Sequence, residues 1–336
     1  MVSLKAAVIG AGVHGRDHLR MVADEPEMKL VGLADLDTQR LAEATAEFGP
    51  DVAVADYREM LDRTRPDVVY VVTLPGQLAP IVHECLARGI HTSIEKSPGN
   101  NSADTQAMIN AEAASSAMAI VSFNRRYFPQ ILAVKRLALQ RGGPVHIMGT
   151  YNKPPSDAVY GRQREGVMPA ALICDSIHHV DLVRWLAGSS MDSAGVVSEV
   201  HAETYRSGPT RERHNAVVTF VNGARAVLMS HFGVGIRVQR AELHAEDFSA
   251  YMDLTQMDPP EDAHWPKTFQ IYADGAMLAE ALDLGAEGGP RFNETRHFAE
   301  CILSGRRPWS TLEDALATMH LAEAIYASHK GELPQR

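Results

Sequence analysis

Residues 173–181 read ICDSIHHVD and set two histidines, His178 and His179, between two acids, Asp175 and Asp181. A neutral imidazole takes a proton near pH 7, and a carboxylate beside it can fix its tautomer. If the stretch is helical, positions 175, 178 and 181 fall on one broad side and His179 turns away. The same residues could contribute to a metal site with His201 or His244. That reading needs three convergent ligands, and Asp-x-x-His-His is not a well-marked ligand spacing. No metal is expected. A third reading has both histidines satisfied inside a helical core.

A second stretch carries a more specific signal. Gly10, Gly12 and Gly15 form G-x-G-x-x-G after the apolar run KAAVIG and before a helical pattern, and Asp35 stands twenty residues beyond Gly15. This context is a dinucleotide-binding fingerprint. Gly10 permits a tight turn, Gly12 lets a pyrophosphate approach the backbone, and Gly15 lets helix and strand pack closely. Val13 and His14 complete the loop at the helix N-terminus, where phosphates are favoured. Asp35 would accept hydrogen bonds from the ribose hydroxyls and repel a 2′-phosphate. With no arginine beside it in DLD, NAD is expected over NADP. His14 and His18 read as surface or helix-face residues rather than catalytic ones.

The elements that must position these residues follow from length and pattern. A chain of 336 residues with 45% apolar residues suits two domains. A net charge of −10 argues against nucleic acid or an anionic membrane as partner. Cys85, Cys174 and Cys301 form no CxxC pair, which argues against a disulfide framework. Free thiols suit a reducing compartment. The N-terminal run reads as a buried strand rather than a signal peptide, and no apolar segment reaches spanning length. A cytoplasmic location is expected.

Up to Asn124, strand and helix signals alternate. DTQRLAEATAEFG opens on a possible cap, Asp37, and closes on Gly49. Continuous apolar strands between helices predict a parallel sheet covered on both faces, a doubly wound Rossmann domain over 1–124. Beyond it the pattern changes to a helix, a polar loop, the histidine segment and then longer strands such as NAVVTFVNG and VQRAELHAEDFSAYMDL. Residues 125–336 are predicted to form an α+β domain with a mostly antiparallel open sheet. Its C-terminal helices could pack back on the first domain.

The chain resembles the glucose–fructose oxidoreductase / inositol dehydrogenase (Gfo/Idh/MocA) family. AVIGAGVHGRDHL, DVVYVVTLPGQLAPIVHECLARGIHTSIEKSP, VSFNRRYFP, SIHHVDLVRWLAG and HFAECILSGRRPWSTLEDALATMHLAEAIYAS are similar to its motifs, in its order. The resemblance implies hydride transfer with a bound nicotinamide at a carbinol or carbonyl carbon of a sugar, polyol or related ring. It also implies a homodimer or homotetramer through the C-terminal sheet. EKSP matches the family's Glu-Lys-Pro motif, which assigns Glu95 and Lys96 to the nicotinamide end. Lys96 would polarise the reacting oxygen or join a proton relay. Ser97 stands where the family usually has proline.

SIHHVDLVRWLAG matches the family's Gly-x-His-x-x-Asp with the catalytic histidine at His178 and the acid at Asp181. The family's earlier aspartate then falls on Cys174, with Asp175 one place along, and the other register pairs Asp175 with His179. Thr73, Leu74, Pro75 and Gln77 are expected to edge the nicotinamide, with Ala79 replacing a histidine common in relatives. Asn124, Arg125 and Arg126 follow the last Rossmann strand and either flank cofactor and substrate or bridge the domains. The loop that carries Tyr151, Lys153, Arg162 and Arg164 is a candidate for recognising an anionic sugar or hydroxy acid, or is simply solvated. Two rival activities stand beside dehydrogenation. One is an enzyme that keeps its NAD bound and oxidises transiently during elimination, epimerisation or glycoside cleavage. The other is a non-catalytic NAD(H) sensor.

Overall fold

The structure is a computed structural model that describes residues 3–154, 169–206, 211–255, 269–278 and 293–332. The chain divides into two compact units, Met1–Ser122 with Asn293–Leu316, and Phe123–Phe292 with Ala317–Arg336.

The first unit is built on six parallel strands, β1 (Leu4–Ile9), β2 (Met28–Ala34), β3 (Val52–Val54), β4 (Val68–Val71), β5 (His91–Ile94) and β6 (Ala119–Val121). Their order is β3-β2-β1-β4-β5-β6, the doubly wound arrangement in which the order reverses between β1 and β4 and leaves a crevice at the carboxyl ends. β4 is buried at every position, as a strand covered on both faces must be. The connecting helices are α1 (Val13–Asp24), α2 (Thr38–Phe48), α3 (Tyr57–Thr64), α4 (Pro75–Ala87) and α5 (Ser102–Ala113). Asp37 caps α2 by accepting from the Gln39 and Arg40 N–H groups, and Gly49 ends the helix in the left-handed region at φ 59°, as the sequence predicts. β3 has three half-buried residues, too short and too mixed to stand out as an apolar run.

The second unit opens with a 3₁₀ turn (Asn124–Tyr127) and α6 (Pro129–Leu139), then β7 (His146–Lys153), α7 (Ala171–Cys174) and α8 (Ile177–Leu186). Strands β8 (Val197–Arg206), β9 (Glu212–Phe220), β10 (Arg225–Phe232), β11 (Val238–Ala245), β12 (Phe248–Asp253), β13 (Phe269–Ala273) and β14 (Ala276–Met277) follow. Beyond them come α9 (Glu294–Ser304), which belongs to the first unit, α10 (Leu312–Ala327) and β15 (His329–Glu332). Among the described residues the second sheet has nine strands in the order β14-β13-β12-β11-β7-β10-β9-β8-β15. The β10–β7 and β15–β8 pairs are parallel and the others antiparallel. The fold class predicted from the sequence is therefore the one observed. VQRAELHAEDFSAYMDL, which reads as one strand, is two, because Asp247 at φ 47° turns the chain between β11 and β12.

One face of this sheet carries α8. A Cβ on Gly149 of β7 would meet Val183 of α8 at 2.8 Å, so the missing side chain sets the close approach of helix and strand. On the other face Val217, Val227 and Met148 are direct cross-strand neighbours, and all three stay exposed. Among the described residues no helix is long and apolar enough to cross a membrane.

Candidate active site

The glycine loop follows β1 at the carboxyl edge of the first sheet. Gly10 has φ 105°, and a Cβ there would lie 2.1 Å from the Val72 carbonyl oxygen. A Cβ on Gly15 would lie 2.1 Å from the Gly10 oxygen, so strand and helix meet more closely than any side chain permits. Gly12 is the N-cap of α1 and supplies no side-chain cap. The nearest atom to its missing Cβ is Arg40 Nη1 at 3.9 Å. The first N–H groups of α1 thus lack a side-chain acceptor from the cap, as an anion site requires. Val13 and His14 point outward, with His14 held 3.7 Å from Asp17.

Asp35 follows β2 and accepts from the Ala11 N–H at 2.6 Å and the Asp37 N–H at 2.8 Å. Two backbone donors fix it against the glycine loop, and an ionised carboxylate has lone pairs left for ribose hydroxyls. Thr73 Oγ1, just past β4, is buried without a hydrogen-bond partner, a group a ligand would satisfy. Leu74 precedes α4, Pro75 is its first residue, and Gln77 is exposed. These residues fit a dinucleotide. The sequence reading missed one of them. Arg40, absent from the DLD segment, is brought beside it by the first turn of α2 and lies 3.1 Å from Asp37. The case against a 2′-phosphate therefore rests on Asp35 alone.

Lys96 comes two residues after β5, on the same edge, with its side chain 11% exposed and Nζ 3.9 Å from Glu95 Oε1. The Lys96–Ser97 peptide is cis. Glu95 Oε2 lies 3.3 Å from His18 Nε2 of α1. Burial opposes the Glu95 charge, but the His18 bond and the Lys96 charge outweigh it and hold the carboxyl below its ordinary range. His18 is not the helix-face bystander expected; it is 3% exposed and bonded to the residue beside Lys96.

In the second unit, the stretch from 175 to 181 is not one helix: α8 begins at Ile177. α7 ends at Cys174, and Asp175 breaks the chain at φ −130°, ψ −64°. Asp175 is thereby delivered to β7 rather than to the face of α8. Its Oδ1 accepts from the Tyr151 hydroxyl at 2.5 Å and its Oδ2 from Lys153 Nζ at 2.7 Å. Burial and the adjacent Asp175 charge raise the Tyr151 phenol well above its ordinary range, so it remains a donor. The two histidines differ. His178, in the first turn of α8, is half-buried. His179 is 1% exposed, its Nδ1 is bonded to Arg125, and its ring stands edge-on to Tyr151 at 5.0 Å. Burial and then the Arg125 charge hold its pKa well below the ordinary value.

Two expected site residues lie elsewhere. Arg126 and Asp181 are 0% and 1% exposed and form a two-point ion pair with each other. Arg126 also packs over Trp185 at 5.0 Å, and Thr318 donates to Asp181 at 3.0 Å. So buried a pair is a core element rather than a surface for substrate. Asn124 is exposed at the start of its 3₁₀ turn. Arg162 and Arg164 lie outside the described residues. Among the described residues no group of three or more His, Cys, Asp or Glu could hold a metal ion. A cavity of about 680 Å³ opens at the opposite, amino edge of the first sheet, beside Leu4, Asp67 and His91. It contains none of the expected site residues.

Residues 4–123 match the Gfo/Idh/MocA family model, described as an oxidoreductase family with an NAD-binding Rossmann fold. Over 96% of its length the chain is 25% identical to a D-apiose dehydrogenase of Paraburkholderia graminis, covering 87% of that protein. It is 29% identical to an inositol 2-dehydrogenase of Gluconacetobacter diazotrophicus over 58% of each chain. Among solved structures, a levoglucosan dehydrogenase in complex with NADH superposes with a TM-score of 0.77 at 20% identity, covering 97% of this chain and 96% of that one. The resemblance read from the sequence is thus matched by the family model over residues 4–123, and the solved structure shares the fold.

Proposed function

We propose that this chain, whose residues 4–123 are of the Gfo/Idh/MocA type, is an NAD-dependent oxidoreductase acting on a CH–OH group of a sugar, inositol, polyol or sugar acid. One observation carries the reading. The glycine loop after β1, Asp35 after β2, Thr73 after β4 and Lys96 after β5 all stand at the carboxyl edge of one parallel sheet. Gly10, Gly12, Val13, His14 and Gly15 would hold the pyrophosphate, Asp35 the adenosine ribose, and Thr73, Leu74, Pro75, Gln77, Glu95 and Asn124 the nicotinamide end. When bound, the nicotinamide supplies the acceptor or donor of the hydride. Lys96 donates a hydrogen bond to the reacting oxygen and stabilises negative charge there. His178, the half-buried histidine of the pair, takes the hydroxyl proton in the oxidative direction. Asp175 accepts from substrate hydroxyls, and Tyr151 and Lys153 hold its carboxylate in place. The similarity to proteins named D-apiose and inositol 2-dehydrogenase supports a sugar-like substrate.

We also propose that the exposed row Val217, Val227 and Met148 joins two copies of the chain face to face, since an apolar row on an open sheet is a favoured interface. The activity is tested by incubating the protein with NAD, and separately NADP, and a panel of sugars, inositols and sugar acids, following reduced-nicotinamide absorbance. Growth with NAD and one substrate class is expected. Binding of neither dinucleotide in calorimetry would overturn the proposal.

A further inference from the structure

Deep in the second unit, β9 carries an acid and an imidazole that the proposed reaction does not use. Glu212 and His214 are 3% and 2% exposed, where apolar side chains of the same volume serve stability as well or better. What they hold lies on α7. Ala170, the N-cap of this four-residue helix, makes no side-chain cap, and a single turn has little stability of its own. Glu212 supplies the acceptors that the local sequence lacks. The Ala171 N–H donates to its Oε1 at 3.4 Å and the Leu172 N–H to its Oε2 at 3.3 Å. The Ala171 carbonyl in turn accepts from the Asp175 N–H at 3.0 Å and the Ser176 N–H at 3.1 Å. On the far side, His214 Nε2 lies 3.0 Å from Glu212 Oε2, and His214 Nδ1 lies 2.9 Å from Thr204 Oγ1 of β8. The Thr204 hydroxyl has one hydrogen, which it gives to the Ile325 carbonyl at 2.7 Å, so its oxygen accepts from His214 Nδ1. The remaining hydrogen, between His214 Nε2 and Glu212 Oε2, makes that contact a bond on whichever atom it rides.

We propose that Glu212, backed by His214 and Thr204, is a positioning residue for Asp175. The hydrogen bonds run from Ile325 of α10 through Thr204, His214 and Glu212 to Ala171, and the Ala171 carbonyl passes the hold to the Asp175 backbone. They fix where α7 ends, and so where the Asp175 carboxylate reaches β7. There it meets Tyr151 at 2.5 Å and Lys153 at 2.7 Å, with its side chain 15% exposed and open to a substrate hydroxyl. All these residues belong to the second unit. The inference rests on the assignment of Asp175 to the substrate. Glu212 touches neither substrate nor cofactor in that assignment and acts only through α7. An amide at position 212 keeps one oxygen for the Ala171 N–H and turns its own N–H to the His214 Nε2 lone pair. Glu212→Gln therefore preserves the chain of bonds that Glu212→Ala cuts.

The test is NMR of the full-length chain carrying ¹³Cζ-labelled tyrosine. Tyr151→Phe assigns the Tyr151 signal, and Asp175→Ala gives its position when the phenol has lost its acceptor. In Glu212→Ala the signal should move most of the way to the Asp175→Ala position, and in Glu212→Gln it should stay near the wild-type one. The other tyrosines should hold their shifts, which a loss of fold would not allow. His214→Ala keeps the carboxylate and should move the signal part of the way, and it carries the test if Glu212→Ala does not fold. A Tyr151 signal unmoved in the folded variant overturns the positioning role. So does a signal displaced as far by Glu212→Gln as by Glu212→Ala. Kinetics supply the second readout. With a substrate from the panel, Glu212→Ala should raise the substrate KM about tenfold, as loss of a bond to a charged group does, with kcat and the NAD KM near wild type. A lowered kcat with both KM values unchanged would mark a merely unstable chain and overturn the inference. A protein that oxidises nothing would defeat the proposed function and leave this inference to the tyrosine signal, which needs no turnover.

Discussion

Each unit buries a cluster of charges, and the two clusters are built from different chemistry. In the second, Arg126 and Asp181 face each other at two points, and Thr318 bonds to both Asp181 and Arg184. A guanidinium does not release its proton at any accessible pH, and an ordinary aspartate has lost its own well below neutrality. That cluster is fixed. In the first, His18, Glu95 and Glu294 include a carboxyl at about 7 and a raised imidazole, so its charges move where enzymes work. Burial alone therefore does not separate a structural cluster from a working one. The separation comes from whether the buried groups titrate near neutrality, and from which of them lies beside a side chain proposed to react. Here that neighbour is Lys96.

The comparison is sharpened most by removing that neighbour. Lys96→Ala should cut turnover by about 10²–10⁴-fold, as loss of an acid–base group does, with NAD affinity retained in calorimetry. Next comes the fixed cluster. Arg126→Met leaves Asp181 without its guanidinium and should destabilise the fold by about 3–5 kcal/mol. Urea unfolding at about pH 8 should show that loss, which shrinks toward acid pH as the stranded buried carboxyl takes up a proton. Wild-type stability in the variant at about pH 8 would break the distinction.

The working cluster should behave in the opposite way. A carboxyl raised from 4.5 to about 7 binds protons in the folded state that it does not bind unfolded. Its contribution is therefore most favourable at low pH and is lost as pH rises through the folded value. The raised imidazole has the same sign, contributing below its unfolded pKa and losing that contribution as pH climbs through the folded one. Glu294→Gln should accordingly gain on the wild type by up to about 3 kcal/mol between acid and mildly alkaline pH. Parallel stability curves would contradict this. The smallest effect belongs to Thr318→Val, which should cost about 1–2 kcal/mol at every pH by removing one buried hydroxyl link.

Much of the first unit was legible because its signals are local. G-x-G-x-x-G, Asp35 at its fixed distance and the Asp37 cap each state their geometry within a few residues. Glu294 was not legible. After Asn293 it reads as an exposed first-turn acid at a helix start, and only the packing of α9 within the first unit buries it. His18 looked like a helix-face residue because its partner, Glu95, is 77 positions away. Arg40 was overlooked because one turn of α2 separates it in sequence from the pocket it edges. Asp175 followed the helical spacing, but its carboxylate is bonded to Tyr151 and Lys153 of β7, and the chain leaves the helix at its φ −130°, ψ −64°. Arg126 and Asp181 matched positions of interest in sequence, yet complementary charges 55 residues apart found each other in the core.

The most direct test of the account is a paired measurement on wild type and Lys96→Ala with a substrate found in the panel. NAD affinity is taken from calorimetry, and reduced-nicotinamide formation from stopped-flow absorbance. Equal NAD affinity with turnover lost in the variant is the predicted result. Wild-type turnover in Lys96→Ala would contradict the account at its centre.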